Sequence, residues 1–256
     1  MTAIRTLLPK SIGIHKFFIL LISIFTVQMV LGQSRQVTRE HQQWLQLDGL
    51  TRLSERWSLL YAAGYRWKDG FQAPAQYIIR SATQIHFSNH FLVGGGFGIS
   101  GTYANGRVNR IEYRPYQDLS LKNTWGKVDL THRYRIEERF FQYRDTGKIT
   151  PDEKLMVRLR YALNLTIPLF KIGPKESEKR ILWKAGDEVF FNTEKNTGYD
   201  IFGQNRILFG PVYQASKNLL FSLSWNSQFS TTTTPGLFRH KDAIWLQVRH
   251  QVDLRT

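Results

Sequence analysis

Leu155-Met156-Val157-Arg158-Leu159-Arg160-Tyr161-Ala162-Leu163-Asn164-Leu165-Thr166-Ile167 alternates at nearly every step. Leu155, Val157, Leu159, Tyr161, Leu163, Leu165 and Ile167 fall on one side, and Met156, Arg158, Arg160, Ala162, Asn164 and Thr166 on the other. Successive side chains of a strand point to opposite faces, so this stretch reads as a β-strand with one greasy and one polar face. The same pattern recurs along the chain. Trp57, Leu59, Tyr61, Ala63, Tyr65 and Trp67 oppose Ser58, Leu60, Ala62, Gly64 and Arg66. Tyr77, Ile79, Ile85 and Phe87 oppose Arg80, Gln84 and His86, and Leu219, Phe221, Leu223 and Trp225 oppose Ser222, Ser224 and Asn226. Ile244, Leu246 and Val248 oppose Ala243, Gln247 and Arg249. From Gln42 onward no apolar stripe of helical period stands out.

Strand length separates two β architectures. Strands of soluble sandwiches run about 5–6 residues. Here the segments span 42–53, 57–67, 76–87, 91–103, 109–122, 127–142, 154–167, 181–192, 204–213, 218–229 and 242–254. A tilted membrane strand needs about 9–11 residues, which these match. Trp57 and Trp67 share a face ten positions apart. That is about 33 Å along a strand, or about 25 Å along the normal at a tilt of about 40°, the height between two aromatic girdles. The expectation is an all-β, antiparallel, up-and-down transmembrane β-barrel.

Composition agrees with this and excludes other classes. The chain has 256 residues, 42% hydrophobic and 14% aromatic, with no cysteine and a formal charge of +15. Its mean hydropathy is -0.34. Polytopic helical membrane proteins need repeated apolar runs of about 20 residues, which are missing. Without cysteine there are no disulfides, no thiolate-held metal and no lipid-acylated N-terminal cysteine. A strongly basic chain also invites a nucleic-acid reading. The N-terminus argues against it. Arg5, Lys10 and Lys16 precede the apolar run Phe17–Leu31, and Gly32-Gln33 follows, the arrangement of a cleaved secretory signal peptide. Cleavage after Gly32 removes those three cations and no acid. An exported chain does not meet chromosomal DNA, so no nucleic-acid partner is expected. The expected organisation is a signal peptide over 1–32, a lead-in over 33–41 and a single barrel domain over 42–256, located in the outer membrane.

Connections sort into two sets. Short turns fall near Ser54–Arg56, Ser88–His90, Asn123–Gly126 and Gln214–Lys217, with a longer one at Pro168–Arg180. Polar loops with turn signals lie between them: Asp69-Gly70, Asn105-Gly106, Asp145-Thr146-Gly147, Asn196-Thr197-Gly198 and Pro235-Gly236. Short turns face the periplasm in outer-membrane barrels and long loops face outward. The segments number eleven, whereas bacterial single-chain barrels have even numbers. About twelve strands are therefore expected, with ten as the fallback. Either residues 33–41 form a short strand or rise through the lumen, or one of the eleven segments is not in the wall.

The polar faces of three consecutive strands carry the richest chemistry. Arg110, Glu112, Arg114 and Asp118 lie on the first; Asp129, Arg133, Arg135, Glu137 and Arg139 on the second; Arg158 and Arg160 on the third. They form one lumenal charged belt, which Glu188 and Arg206 join from across the barrel. Such a belt fills a narrow lumen with charge pairs, because buried charges need partners. Its arginine excess also fits a constriction that favours anions.

The run His132-Arg133-Tyr134-Arg135-Ile136-Glu137-Glu138-Arg139-Phe140, then Arg158-Leu159-Arg160-Tyr161, Asn205-Arg206, Tyr213 and Lys217-Asn218-Leu219, resembles the "domain of unknown function 2490" family of exported Bacteroidota proteins. The resemblance covers most of residues 40–254. It implies an outer-membrane β-barrel and assigns no activity or site. The end, Val252-Asp253-Leu254-Arg255-Thr256, departs from the aromatic terminal residue usual in such barrels.

An enzymatic alternative rests on His86, Ser88 and Asn89, which resemble the short His-x-Ser-Asn element of outer-membrane phospholipases. A histidine beside a serine can activate it as a nucleophile. Ser88-Asn89 is equally an ordinary turn sequence. The seven histidines are scattered, and no metal-ligand spacing or cofactor motif stands out. The favoured reading is a non-enzymatic outer-membrane barrel, either a narrow anion-biased channel or a closed structural or binding barrel. Its partners would be outer-membrane lipid and small anions or an envelope partner. The alternatives are an outer-membrane lipid hydrolase and a secreted soluble β protein that binds acidic glycan.

Overall fold

Alternation over long segments leaves each strand with an apolar face that must meet either a core or a lipid, and a polar face that must be sequestered with partners. A closed sheet satisfies both at once. The computed structural model describes residues 36–145, 148–174, 176–193 and 201–255, with side chains omitted at 145, 148–149 and 151–154. The proposed leader and residues 33–35 lie outside the described residues, as do the Thr146-Gly147 and Asn196-Thr197-Gly198 turn signals.

Eleven strands form one closed barrel: β1 (Gln36–Arg52), β2 (Trp57–Lys68), β3 (Ala73–His86), β4 (Phe91–Ala104), β5 (Arg107–Trp125), β6 (Val128–Asp145), β7 (Lys148–Lys171), β8 (Arg180–Asn192), β9 (Phe202–Gln214), β10 (Leu219–Thr231) and β11 (Leu237–Asp253). Each strand pairs antiparallel with the next in sequence. No helix occurs among the described residues.

The expected count of twelve is corrected to eleven. Residues 36–41, read as part of a lead-in, are the opening of β1 rather than an extra strand. An odd number of alternating strands leaves β1 and β11 running the same way, so the closing seam is parallel. Its contacts keep a nearly constant sequence offset, as parallel pairing requires. The Thr38 hydroxyl donates to the Phe238 carbonyl, Lys241 meets Glu40, Trp245 packs edge-on against Trp44, and Leu254 N–H donates to the Arg52 carbonyl. Arg255 adds a clasp by bonding Glu55 at 3.0 Å. Parallel pairs are slightly weaker per residue than antiparallel ones. The side-chain contacts along this seam offset that.

Connection length does not distinguish the two ends. One end has links at 53–56, 87–90, 126–127, 172–179 and 215–218; the other has 69–72, 105–106 and 232–236 among the described links. Residues read as loops there extend the strands instead. Asn105-Gly106 is a two-residue turn with φ of 51° and 73°, the left-handed pair that a tight hairpin demands. The end where β1 begins is called the mouth below. Four of the five register shifts, at Arg66/Trp67, Thr102/Tyr103, Arg139/Phe141 and Phe190/Phe191, lie toward it. Bulges of this kind are common at barrel rims, where they bend and twist the wall.

The outer face is apolar. Leu45, Leu47, Tyr61, Ile79, Phe97, Ile136, Leu159, Ile207, Leu223, Ile244 and Leu246 are all exposed on it. Trp57 and Trp67 lie outward near opposite ends of β2. At the mouth Trp67 packs with Tyr65 and Phe71, and Tyr103 with Tyr65 and Tyr77. At the other end Phe87 packs on Phe91, Tyr213 stacks on Phe221, and Trp125 stands exposed. Glycines on the inner face make room for large neighbours. A Cβ at Gly96 would lie 2.4 Å from the Ser81 carbonyl oxygen and 2.7 Å from the Tyr116 ring. The glycine run at 94–98 is therefore a packing feature, as close backbone approach in a strand requires.

Candidate functional site

Inward parity on β5, β6, β7, β8 and β9 brings the charged side chains into one layered network. Glu137 on β6 is its centre, with 0% exposure. It accepts from Arg158 and Arg160 of the neighbouring β7, with Arg114 and Arg135 each 3.7 Å away. Arg160 also reaches Glu188 on β8, so one guanidinium bridges two carboxylates. Glu188 takes further contacts from Arg133 at 2.6 Å and Arg206 at 3.3 Å. Glu112 holds Arg139 at 2.6 Å and Arg114 at 2.7 Å. Asp118 receives a two-pronged bond from Arg135, 2.6 Å at each oxygen. Of the arginines expected in the belt, only Arg110 has no carboxylate partner among the described residues; it meets Thr102 at 3.5 Å and the Phe141 ring at 5.4 Å. Asp129 stands apart at the far end, where it accepts from Thr124.

Guanidinium groups outnumber carboxylates, and aromatic faces hold the surplus. Arg135 lies 4.0 Å over the Tyr116 ring, and Arg160 lies 4.5 Å over Phe190. Arg158 and Arg206 also approach Phe190, at 5.2 and 5.3 Å. A planar cation stacks on an aromatic face while its edge bonds a carboxylate, which a lysine ammonium cannot do. Sequence reasoning missed two members of this set. Arg66 stacks 3.8 Å over Trp44 and bonds Gln76, and Arg80 reaches Gln46. Their inward parity on β2 and β3 was the available signal. Ser58, Ser224 and Asn226, on the inward parity of β2 and β10, are also fully buried.

The expected serine–histidine element is not assembled. The Ser88 hydroxyl accepts the backbone N–H groups of His90 and Phe91, which makes it a turn cap. His86 bonds instead to Ser58 at 2.9 Å, and Ser58 is inaccessible. A second serine–histidine pair sits on the outer wall, Ser227 with His240 at 2.7 Å and Asp242 nearby at 3.6 Å. Both partners approach the same ring nitrogen, Nε2. A histidine acting as base needs its orienting carboxylate on the other nitrogen. Among the described residues no group of three His, Asp or Glu side chains could hold a metal ion.

Above the network, the mouth holds a cavity of about 360 Å³. Arg110, Arg139, Arg158, Arg239 and Lys241 line it, and no carboxylate does among the described residues. Arg239 and Lys241 were read as part of a loop. They are the first turns of the pleat in β11.

The family model described as "Protein of unknown function (DUF2490)" matches residues 41–238. No curated protein matches. Among solved structures, a mutant of the ferric enterobactin receptor PfeA from Pseudomonas aeruginosa is similar at 9% identity, with a TM-score of 0.28. The match covers 69% of this chain and 35% of the receptor, so the chain spans about a third of that protein's length.

Proposed function

We propose that this chain, which belongs to the DUF2490 family of proteins of unknown function, is a non-enzymatic integral outer-membrane β-barrel whose lumen is closed by its own side chains. The observation that carries the reading is the inversion of burial across the wall. Large apolar side chains are exposed outside while Glu137, Asn226 and Ser58 are fully buried inside. A soluble β-sandwich or barrel does the opposite, and exposed apolar patches beyond a few hundred Å² mark an interaction with lipid or protein. Aromatic clusters near both ends of an apolar band are what a bilayer interface selects.

Between a channel and a closed barrel, the network favours closure. Filtering needs mobile ions to bind and leave. Here the belt arginines are bound to carboxylates, aromatic rings or both. The barrel is thus a membrane-anchored scaffold that works through its ends, with outer-membrane lipid as its immediate partner.

Membrane fractionation with heat-modifiable gel migration tests the setting. The expected result is a chain that resists salt and alkaline extraction and migrates faster unheated. Release by salt alone would discard the membrane reading and restore a secreted glycan binder. In planar bilayers the intact barrel is expected to show no steady conductance. A stable, anion-selective current from the unmodified protein would overturn closure in favour of the channel.

A further inference from the structure

The network and the mouth cavity treat cations differently. In the network, guanidinium groups face carboxylates. In the cavity, five cationic side chains from β5, β6, β7 and β11 surround open space. Arg139 and Arg158 are anchored from behind by Glu112 and Glu137. Lys241 is 3.7 Å from Glu40. Arg110 and Arg239 meet no carboxylate among the described residues. A cluster of this kind in a half-enclosed space attracts and orients a multivalent anion, and paired arginines suit the oxygens of a phosphate.

The rest of the lining narrows the ligand. Thr231 spends its hydroxyl proton on the Phe202 carbonyl at 3.1 Å, and Thr232 on the Leu237 carbonyl at 2.8 Å. The Thr232 oxygen already accepts the Thr234 N–H at 3.2 Å, which leaves it one lone pair, and the Thr231 oxygen can also accept from a ligand hydroxyl. Gln204, Gln228 and Asn192 add amides, which both donate and accept. The volume lies near the lower end of the range for small-molecule sites, about 300–1,000 Å³. The bulged strands at Arg139/Phe141 and Phe190/Phe191 border the cavity, so the wall departs from regular pairing where the space opens.

The geometry points to a binding site for a phosphorylated sugar of monosaccharide size, with the phosphate among Arg110, Arg239 and Lys241 and the sugar hydroxyls on the threonine and amide rim. The sheet separates the cavity from the outer apolar face, so the ligand is a water-soluble solute and not a lipid headgroup. The inference rests on the reading of a barrel closed beneath its mouth.

Calorimetry on the full chain in detergent micelles at low salt tests it, with glucose 6-phosphate as probe and glucose and inorganic phosphate as comparators. Glucose 6-phosphate should bind one to one and more tightly than either comparator. Arg110→Ala and Arg239→Ala should each weaken it roughly tenfold or more, the loss of a charge-assisted hydrogen bond. Neither residue belongs to the closed network, and heat-modifiable migration of each variant checks that the barrel is intact. On the unmodified protein, raising the salt should weaken binding. No binding at millimolar glucose 6-phosphate, affinity unchanged in both variants, or inorganic phosphate binding equally well would each overturn the assignment. Failure here leaves fractionation and conductance untouched, so the barrel reading is judged separately.

Discussion

Glu137→Gln removes one charge from the centre of the lumen while keeping the shape of the side chain. Four guanidinium groups surround that carboxylate, two bonded and two at 3.7 Å. At an effective dielectric of about 20, each unit charge about 4 Å away contributes about 4 kcal/mol of gross attraction, or ~16 kcal/mol for four. Desolvation of several kcal/mol per buried ion opposes most of this. What the substitution measures is smaller and better defined. It leaves four buried cations facing a neutral amide, and breaking a buried pair in this way costs about 3–5 kcal/mol. Urea unfolding of the refolded chain in lipid vesicles, followed by tryptophan fluorescence, reads the difference. A loss below about 1 kcal/mol, the worth of a solvent-exposed pair, would mean that water reaches Glu137. That result would refute closure of the lumen. A companion Arg160→Met in the same background removes one of the stranded cations. The double variant should then lose at least ~1 kcal/mol less than the two single losses combined, as coupled neighbours do.

Two further predictions address the wall. The native chain has no cysteine, so Glu40→Cys with Lys241→Cys places a lone thiol pair across the seam. Oxidation should join β1 to β11 and alter unheated gel migration. Absence of the crosslink in a folded barrel would remove the parallel closure and reopen an even strand count. Gly210→Ala puts a Cβ 2.1 Å from the Leu223 carbonyl oxygen and 2.8 Å from the Ser224 Cα, both backbone atoms that cannot turn aside. It should destabilise the barrel by about 1–3 kcal/mol or more. Gly95→Ala, whose nearest contact is 3.8 Å away, should change stability by no more than ~0.5 kcal/mol in the same urea titration.

The spans and faces of the strands were legible because a period of two is written into the chain wherever one side meets an apolar medium. Leu155–Ile167 predicts β7 and its inward Arg158 and Arg160 directly. The closure was not legible. Strand parity along the chain says which way β11 runs, but whether β1 accepts a parallel neighbour depends on contacts such as Trp44 on Trp245, two hundred residues apart. The belt was partly legible. Three consecutive strands announced Glu112, Glu137 and Arg160. Arg66 and Arg80 are on β2 and β3, outside that run of strands, so only the register across β4 and the closure of the sheet relate them to it. His86 and Ser88 show the converse failure. Their spacing suggested chemistry, but a turn engages one and the neighbouring strand's Ser58 engages the other.

Net charge looks like one property in the sequence, but the barrel divides it by depth. Deep in the lumen several guanidinium groups have two kinds of partner, a carboxylate at the edge and an aromatic ring at the face: Arg135 with Asp118 and Tyr116, Arg160 with Glu188 and Phe190. A guanidinium suits both roles at once, because its plane stacks while its fork bonds a carboxylate, whereas an ammonium is a compact point charge. A cation held twice over has little left to offer a passing ion, so positive charge at this depth argues for closure and against a filter. Toward the mouth the carboxylates and rings thin out among the described residues. Arg110 retains only a ring and one long hydrogen bond, and Arg239 meets no carboxylate among the described residues. The same residue type is therefore bound in pairs at one depth and lines the cavity at another. What separates the two is the supply of partners on facing strands, which among the described residues is smaller where the cavity begins.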